Sequence, residues 1–251
     1  MKRVILLLMT ALISATVFAA DKDTRCFEMR TYYAASGKLD ELHARFRDHT
    51  MKLFEKHGMS NIGYWTPVEN PENKLIYVLA YPSREAREKS WKEFMADPDW
   101  KAASKASEEH GKLVVKGESV FMTATDYSPV VKASHSKEPR LFELRTYHAS
   151  PGKLDDLHAR FRDHTMSLFS GHGMNNIAYW APMEQKDGAG ETLIYIVAHK
   201  DKSAADASWK AFRADPEWIK VKTASEANGP LTIKDGVKSV FVTPTDYSPT
   251  K

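Results

Sequence analysis

Phe27-Glu28-Met29-Arg30-Thr31-Tyr32 returns later in the chain as Phe142-Glu143-Leu144-Arg145-Thr146-Tyr147, and this doubled hexapeptide decides how the sequence is read. Working outward from it, Gly37-Lys38-Leu39 matches Gly152-Lys153-Leu154, and Arg45-Phe46-Arg47-Asp48-His49-Thr50 matches Arg160-Phe161-Arg162-Asp163-His164-Thr165, all 115 residues apart. Residues 26–67 and 141–182 are identical at 30 of 42 positions, far beyond chance, so the unit to explain is about half of the chain. The offset grows to 118 at Leu75-Ile76-Tyr77 against Leu193-Ile194-Tyr195, and to 120 at Thr125-Asp126-Tyr127-Ser128-Pro129 against Thr245-Asp246-Tyr247-Ser248-Pro249. Both slips fall outside the most periodic runs, where loops take up insertions.

Within each unit the hexapeptide alternates. Phe27, Met29 and Thr31 share one strand face, and Glu28, Arg30 and Tyr32 the other. After Gly37, the stretch Lys38 to Lys56 has helical period, with Leu39, Leu42, Phe46, Leu53 and His57 in one stripe and Gly58 closing it. Asn61 to Trp65 and Leu75 to Tyr81 read as two strands of a hairpin with a long turn. Ser83 caps a helix running through Phe94, Asp97-Pro98 interrupts it before a second short helix from Asp99 to about Glu109, and Val120 to Thr123 supplies the last strand. Strand, helix, strand, strand, helix, strand is the ferredoxin-like βαββαβ unit. A sheet covered by helices on one side leaves its other face bare, and two tandem copies solve this by closing those faces together. The expectation is an α+β fold with two such units, 21–129 and 140–251, joined by the linker 130–139 and closing into an intrachain α/β barrel. Two separate beads are the alternative, at the cost of exposing two aromatic-rich faces.

Residues 1–20 stand apart. Lys2 and Arg3 precede an apolar run from Val4 that continues to Phe18, and Val17-Phe18-Ala19 places small residues where a signal peptidase reads. The segment predicts cleavage near Ala19 or Ala20 and a periplasmic protein, with secretion as the alternative and no stable membrane span after processing. Removing Lys2 and Arg3 takes the formal net charge from +3 to +1. That balance, without a dense basic stripe, gives no claim on nucleic acid. Cys26 is the sole cysteine, which excludes an intramolecular disulfide.

Phe-Glu-X-Arg-Thr-Tyr, Gly-Lys-Leu, a helix ending in His-Gly-Met and a strand with Tyr-Trp together resemble the NIPSNAP family, whose units belong to the dimeric α/β barrel superfamily. The resemblance covers 26–129 and again 141–249, and includes Trp91 and Trp100 with Trp209 and Trp218. It implies the fold. The superfamily holds cofactor-free monooxygenases, haem-using enzymes and binding proteins, so no single reaction follows.

If the Phe27 face lies under the helices, Glu28, Arg30 and Tyr32 enter the space between the sheets, opposite Glu143, Arg145 and Tyr147. Charges enclosed there must be paired. Either Arg30 and Glu28 form a structural pair, or the arginines hold an anion while Glu28 and Glu143 move a proton. Tyr64 and Tyr179 alternate with Trp65 and Trp180, so one set joins the core and the other lines the chamber, which suits a small, flat, mostly apolar ligand. His43, His49 and His57 recur as His158, His164 and His172 but spread around the helix and match no zinc pattern, so no metal is expected. His49 and His164 remain candidates for a proton carrier or haem ligand; otherwise no cofactor is expected. The favoured function is binding or transformation of a small organic ligand in the inter-sheet chamber, by a monomer or homodimer, with catalysis left open. The alternatives are a protein-interaction module with a packed barrel core, and a haem-binding or monooxygenase-like enzyme.

Overall fold

The computed structural model describes residues 22–131, 133 and 140–251, so the signal peptide read at 1–20 and most of the linker 130–139 lie outside the described residues. The first half runs β1 (Cys26–Ala34), α1 (Leu39–Arg45), a π-helical turn (Phe46–Thr50), α2 (Met51–Lys56), β2 (Ser60–Pro67), β3 (Lys74–Tyr81), α3 (Arg84–Ala96), α4 (Pro98–Ser107) and β4 (Val114–Ala124). The second half repeats this order as β5 (Leu141–Ala149), α5 (Leu154–Arg160), a π-helical turn (Phe161–Thr165), α6 (Met166–Gly171), β6 (Asn175–Pro182), β7 (Thr192–His199), α7 (Lys202–Ala214), α8 (Pro216–Ser225) and β8 (Thr232–Pro244).

Local chemistry sets these bounds. Gly37 turns the chain out of β1 with φ at +73°, a conformation open to glycine. Ser83 caps α3 by accepting from the Ala86 N–H at 3.1 Å. Asp97 ends α3 and caps α4 through the Asp99 N–H at 2.8 Å, with Pro98 in the first turn where its missing N–H costs nothing. The single helix expected over Lys38 to Lys56 carries a π turn instead. The Met51 N–H reaches back to Phe46 O, and the Thr50 hydroxyl donates to Arg45 O at 3.1 Å. One extra residue in a turn leaves the apolar stripe nearly continuous, so the hydrophobic period does not reveal it.

The eight strands form one closed barrel in the order β1-β3-β2-β8-β5-β7-β6-β4. Two short antiparallel joints close it between the halves: Trp65 to Pro67 with Val242 to Pro244, and Met122 to Ala124 with Trp180 to Pro182. Reciprocal clasps reinforce them. The Thr245 N–H donates to Tyr64 O at 2.9 Å, the Tyr64 N–H to Ser248 Oγ at 2.9 Å, and Arg47 binds Asp246 at 2.7 Å. Thr125, Ser128 and Asp126 make the same bonds to Tyr179 and Arg162. The recurring Thr-Asp-Tyr-Ser-Pro segment is therefore the strap by which each half holds the other.

The barrel interior corrects the expected strand faces. Phe27 and Met29 point inward with Ile76, Val78, Ala80, Trp65, Phe142 and Trp180, and Phe27 meets Trp180 across the halves at 5.7 Å between ring centres, as Trp65 meets Phe142 at 5.8 Å. Glu28, Arg30 and Tyr32, with Glu143, Arg145 and Tyr147, point outward beneath the helices. A closed barrel is able to enclose a small molecule, but the side chains of this interior cluster are apolar except for the indole N–H groups of Trp65 and Trp180, with no cation to pair two carboxylates. The helices supply partners for them.

Tyr64 and Tyr179 take the helix side and Trp65 and Trp180 the interior, which settles the alternation left open by the sequence. Among the described residues no helix is long and apolar enough to cross a membrane.

Candidate functional site: a cleft between sheet and helices

Glu28 is the centre from which the site is built, and it is fully buried. Arg30, two residues along the same face, donates to Glu28 Oε1 at 2.5 Å, and Arg87 from α3 adds bonds to both oxygens at 2.8 and 3.0 Å. The Tyr81 hydroxyl donates to Oε2 at 2.9 Å and in turn accepts from Trp91 Nε1 at 2.8 Å. Burial pushes the Glu28 carboxyl up, but Arg87, Arg30 and Tyr81 outweigh it and hold the group below the usual carboxylate range. Arg30 also donates to the Tyr77 and Tyr32 hydroxyls at 3.0 and 3.3 Å and lies 4.4 Å from the centre of the Trp91 ring. Such stacking keeps a buried guanidinium charged and flat.

Beside this network lies a cleft of about 310 Å³ between the sheet and the helices of the first half. Arg30, Tyr32 and Gly117 form its floor, Phe46, Phe54 and Phe94 its depth, and Trp91, Met95 and Trp100 its rim. Arg45 enters from the end of α1, stacks on Trp100 at 5.3 Å and binds Glu108 at 3.1 Å, while its buried Nε has no partner. The π turn at Phe46 begins directly after Arg45, a common arrangement where a helix must present side chains to a site.

The second half surrounds its carboxylate differently. Glu143 accepts from Arg145, from His199 Nε2 at 3.1 Å, from Trp209 Nε1 at 2.6 Å and from the Ser239 hydroxyl at 2.5 Å. Burial again raises this carboxyl, and His199, Arg145, Ser239 and Trp209 together bring it down to about 2. His199 stands where the first half has Tyr81, and Ala205 where it has Arg87. The Trp209 indole therefore reaches the carboxylate itself.

Of the sequence candidates, Glu28, Arg30 and Tyr32 come together in one half and Glu143, Arg145 and Tyr147 in the other, about the helix layer instead of the inter-sheet space. Tyr64 and Tyr179 pack behind them, stacked on Tyr77 and Tyr195 at 5.3 and 5.1 Å. Trp65 and Trp180 are remote, inside the barrel. His49 and His164 are exposed on the π turns and face away from the carboxylates. His43 and His158 instead bond Tyr247 and Tyr127 in the clasps at 2.8 and 2.7 Å, and His57 and His172 bond the helix-capping Asp97 and Asp215 at 2.6 and 2.7 Å. Sequence reasoning missed Arg87, Tyr81, Arg45 and Gly117. Arg45 carried a signal, recurring as Arg160 before the same phenylalanine, whereas Arg87, Tyr81 and Gly117 have unlike counterparts and so left no trace in the repeat.

The comparisons with known proteins agree with this architecture. The NIPSNAP family model matches residues 27–129 and 142–249. A protein of Dictyostelium discoideum named Protein NipSnap homolog is 29% identical over 143 residues, which is 56% of this chain and 56% of that protein, so the chain spans about half the length of this curated relative. A solved structure from Fusobacterium nucleatum, provisionally assigned as a monooxygenase, aligns with a TM-score of 0.58 at 10% identity, over 88% of this chain and 92% of that one. A structure of an anthrone oxidase-like protein aligns with a TM-score of 0.56 at 11% identity, over 91% and 95%. At such identities the two structures share the fold with this chain and no more. Matched from Phe27 to Pro129 and from Phe142 to Pro249, the chain belongs to the NIPSNAP family.

Proposed function

We propose that this protein is an exported, periplasmic binding protein built from two ferredoxin-like units, 21–129 and 140–251, and that it holds a small organic molecule between the sheet and the helices. The observation that carries this reading is the first-half cleft itself. Its volume falls at the lower end of the range for ligand pockets, its walls are aromatic, and its few polar groups converge from β1 and α1. Arg30 and Tyr32 keep the ligand-binding role expected from the sequence but exercise it beneath the helices. Glu28, tied by four hydrogen bonds from three side chains, serves to fix Arg30 and not to carry protons. Export rests on the composition of residues 1–20.

A second reading, a protein-interaction module, draws on the barrel interior, where Phe27 meets Trp180 and Trp65 meets Phe142 across the halves in one apolar cluster. One experiment separates the two. In nuclear magnetic resonance screening with small aromatic compounds, ligands should shift the indole signals of Trp91 and Trp100 while Trp65 and Trp180 stay unmoved. Shifts confined to the interior tryptophans, or none with any compound at millimolar concentration, would sink the cleft as a binding site.

A further inference from the structure

Resting on that binding reading, we infer that the chain has one ligand site per molecule, in the first half alone, and that it takes a flat aromatic carboxylate. Two independent differences between the two repeated halves carry this.

The first is charge. In the first-half helix layer three guanidinium groups, those of Arg30, Arg45 and Arg87, have side chains only 15, 5 and 16% exposed, and Glu28 is the fully buried carboxylate among them, the other buried carboxylate, Asp97, being paired with Lys56 and His57. Glu108, which binds Arg45, and Glu88, which touches Arg87, are more open to water at 33 and 59%. In the second half Ala205 replaces Arg87, so only two guanidinium groups, Arg145 and Arg160, stand opposite buried Glu143 and half-buried Glu226, one positive charge fewer than in the first half. Surplus buried positive charge favours a bound anion. Arg45 Nε, buried, without a partner and lining the cleft, supplies a donor to it; Arg145 Nε and Arg160 Nε are likewise unpartnered in the second half, so this donor does not by itself distinguish the halves.

The second is access. A side-chain carbon placed on Gly117 would meet the Tyr32 ring at 3.3 Å, so glycine keeps the floor of the cleft open. Its register partner Tyr32 corresponds to Tyr147, whose own partner is Val237. β8 is 13 residues long against 11 for β4, and its additional residues lie in the irregular stretch just before Val237. Trp209 is 8% exposed and drawn down onto Glu143, whereas Trp91 is held off its carboxylate by the intervening Tyr81 and stays partly open at the rim. The walls dictate the rest of the ligand: Trp91, Trp100, Phe46 and Phe94 stack on a planar ring system and leave space for about two fused rings.

Calorimetric titration of the whole protein with naphthalene-2-carboxylate and with its neutral counterpart, naphthalene-2-methanol, tests this. The expected result is one carboxylate per chain, bound at least tenfold more tightly than the alcohol. Gly117→Val should abolish binding, and Val237→Gly should leave it unchanged. Because Gly117 lies outside the left-handed region, valine is tolerated by the backbone, and quenching of tryptophan fluorescence by the carboxylate in the folded Arg30→Leu variant provides a second measure that should be lost. Two sites per chain, or equal affinity for acid and alcohol, would overturn this inference and leave the binding reading standing. Failure of both compounds to bind, or binding indifferent to Gly117→Val, would overturn the two together.

Discussion

At the scale of the residue, Glu28 and Glu143 occupy the same place in two copies of one strand and are satisfied by different neighbours. Each is surrounded by donors aimed at both oxygens, and a buried carboxylate so placed costs most when it alone is removed, since its arginine stays behind uncompensated. Glu143→Gln should therefore destabilise the fold by about 3 kcal/mol or more in urea unfolding, through loss of charge opposite Arg145. A cost near zero would mean that Arg145 is compensated elsewhere. The depressed Glu143 carboxyl also makes a contribution with a definite sign. Its folded value, about 2, lies below its ordinary 4.5, so the stabilisation is complete above the ordinary value and fades as pH falls toward 2. Inside the barrel, a side-chain carbon on Gly63 would overlap the indole of Trp65 at 2.2 Å. Gly63→Ala should displace that ring and cost about 1–3 kcal/mol, read as a lower thermal midpoint.

At the scale of the element, the strands and helices were legible because period 2 and period 3.6 are written into the sequence twice. The inward face of β1 was not. Alternation separates Phe27, Met29 and Thr31 from Glu28, Arg30 and Tyr32, but both faces of a strand in this fold are covered, one by the barrel and one by helices. What decides between them is the supply of donors from elsewhere in the chain, above all Arg87 and Tyr81. Their counterparts Ala205 and His199 hid that supply from any reading of the repeat. The π turns were silent for a related reason, since Thr50 and Thr165 satisfy the loosened carbonyls with hydroxyls that the hydrophobic pattern does not register. The histidines recurred visibly, yet their partners lie across the joint. Burial, the largest influence, lowers the His43 and His158 imidazoles below their ordinary 6.5. The unfolded chain therefore binds more protons near and below that value, and stability should fall as pH drops through about 6.5 toward the folded values. Urea midpoints between pH 7.5 and 5 should decline less in the His43→Gln/His158→Gln variant than in the parent. An identical decline would assign the effect to other groups.

At the scale of the whole molecule, the two halves are bound by short joints and by straps that cross between them. Each strap carries a threonine N–H, a serine hydroxyl, an aspartate and a tyrosine to the opposite half, and the second half's strap comes from the last residues of the described chain. Parted from each other, the halves would expose Phe27, Met29, Trp65, Phe142 and Trp180 at once, a contiguous apolar surface of the kind that isolated domains do not leave in water. Closure within one chain makes the partner's effective concentration independent of dilution. Unfolding of the intact protein should accordingly be a single transition whose midpoint does not change with protein concentration. Residues 22–131 and 140–251, produced as separate chains, should instead associate on mixing, with a midpoint that rises with concentration. The strap gives a sharper measure within the same experiment. Asp246→Ala and Tyr247→Phe remove contacts that only the other half provides, so they should weaken association of the separated chains by tenfold or more while leaving the secondary structure of the second-half chain as it was. Stable, monomeric halves indifferent to these substitutions would mean that each unit covers its own sheet and that the shared barrel is not what holds the molecule together.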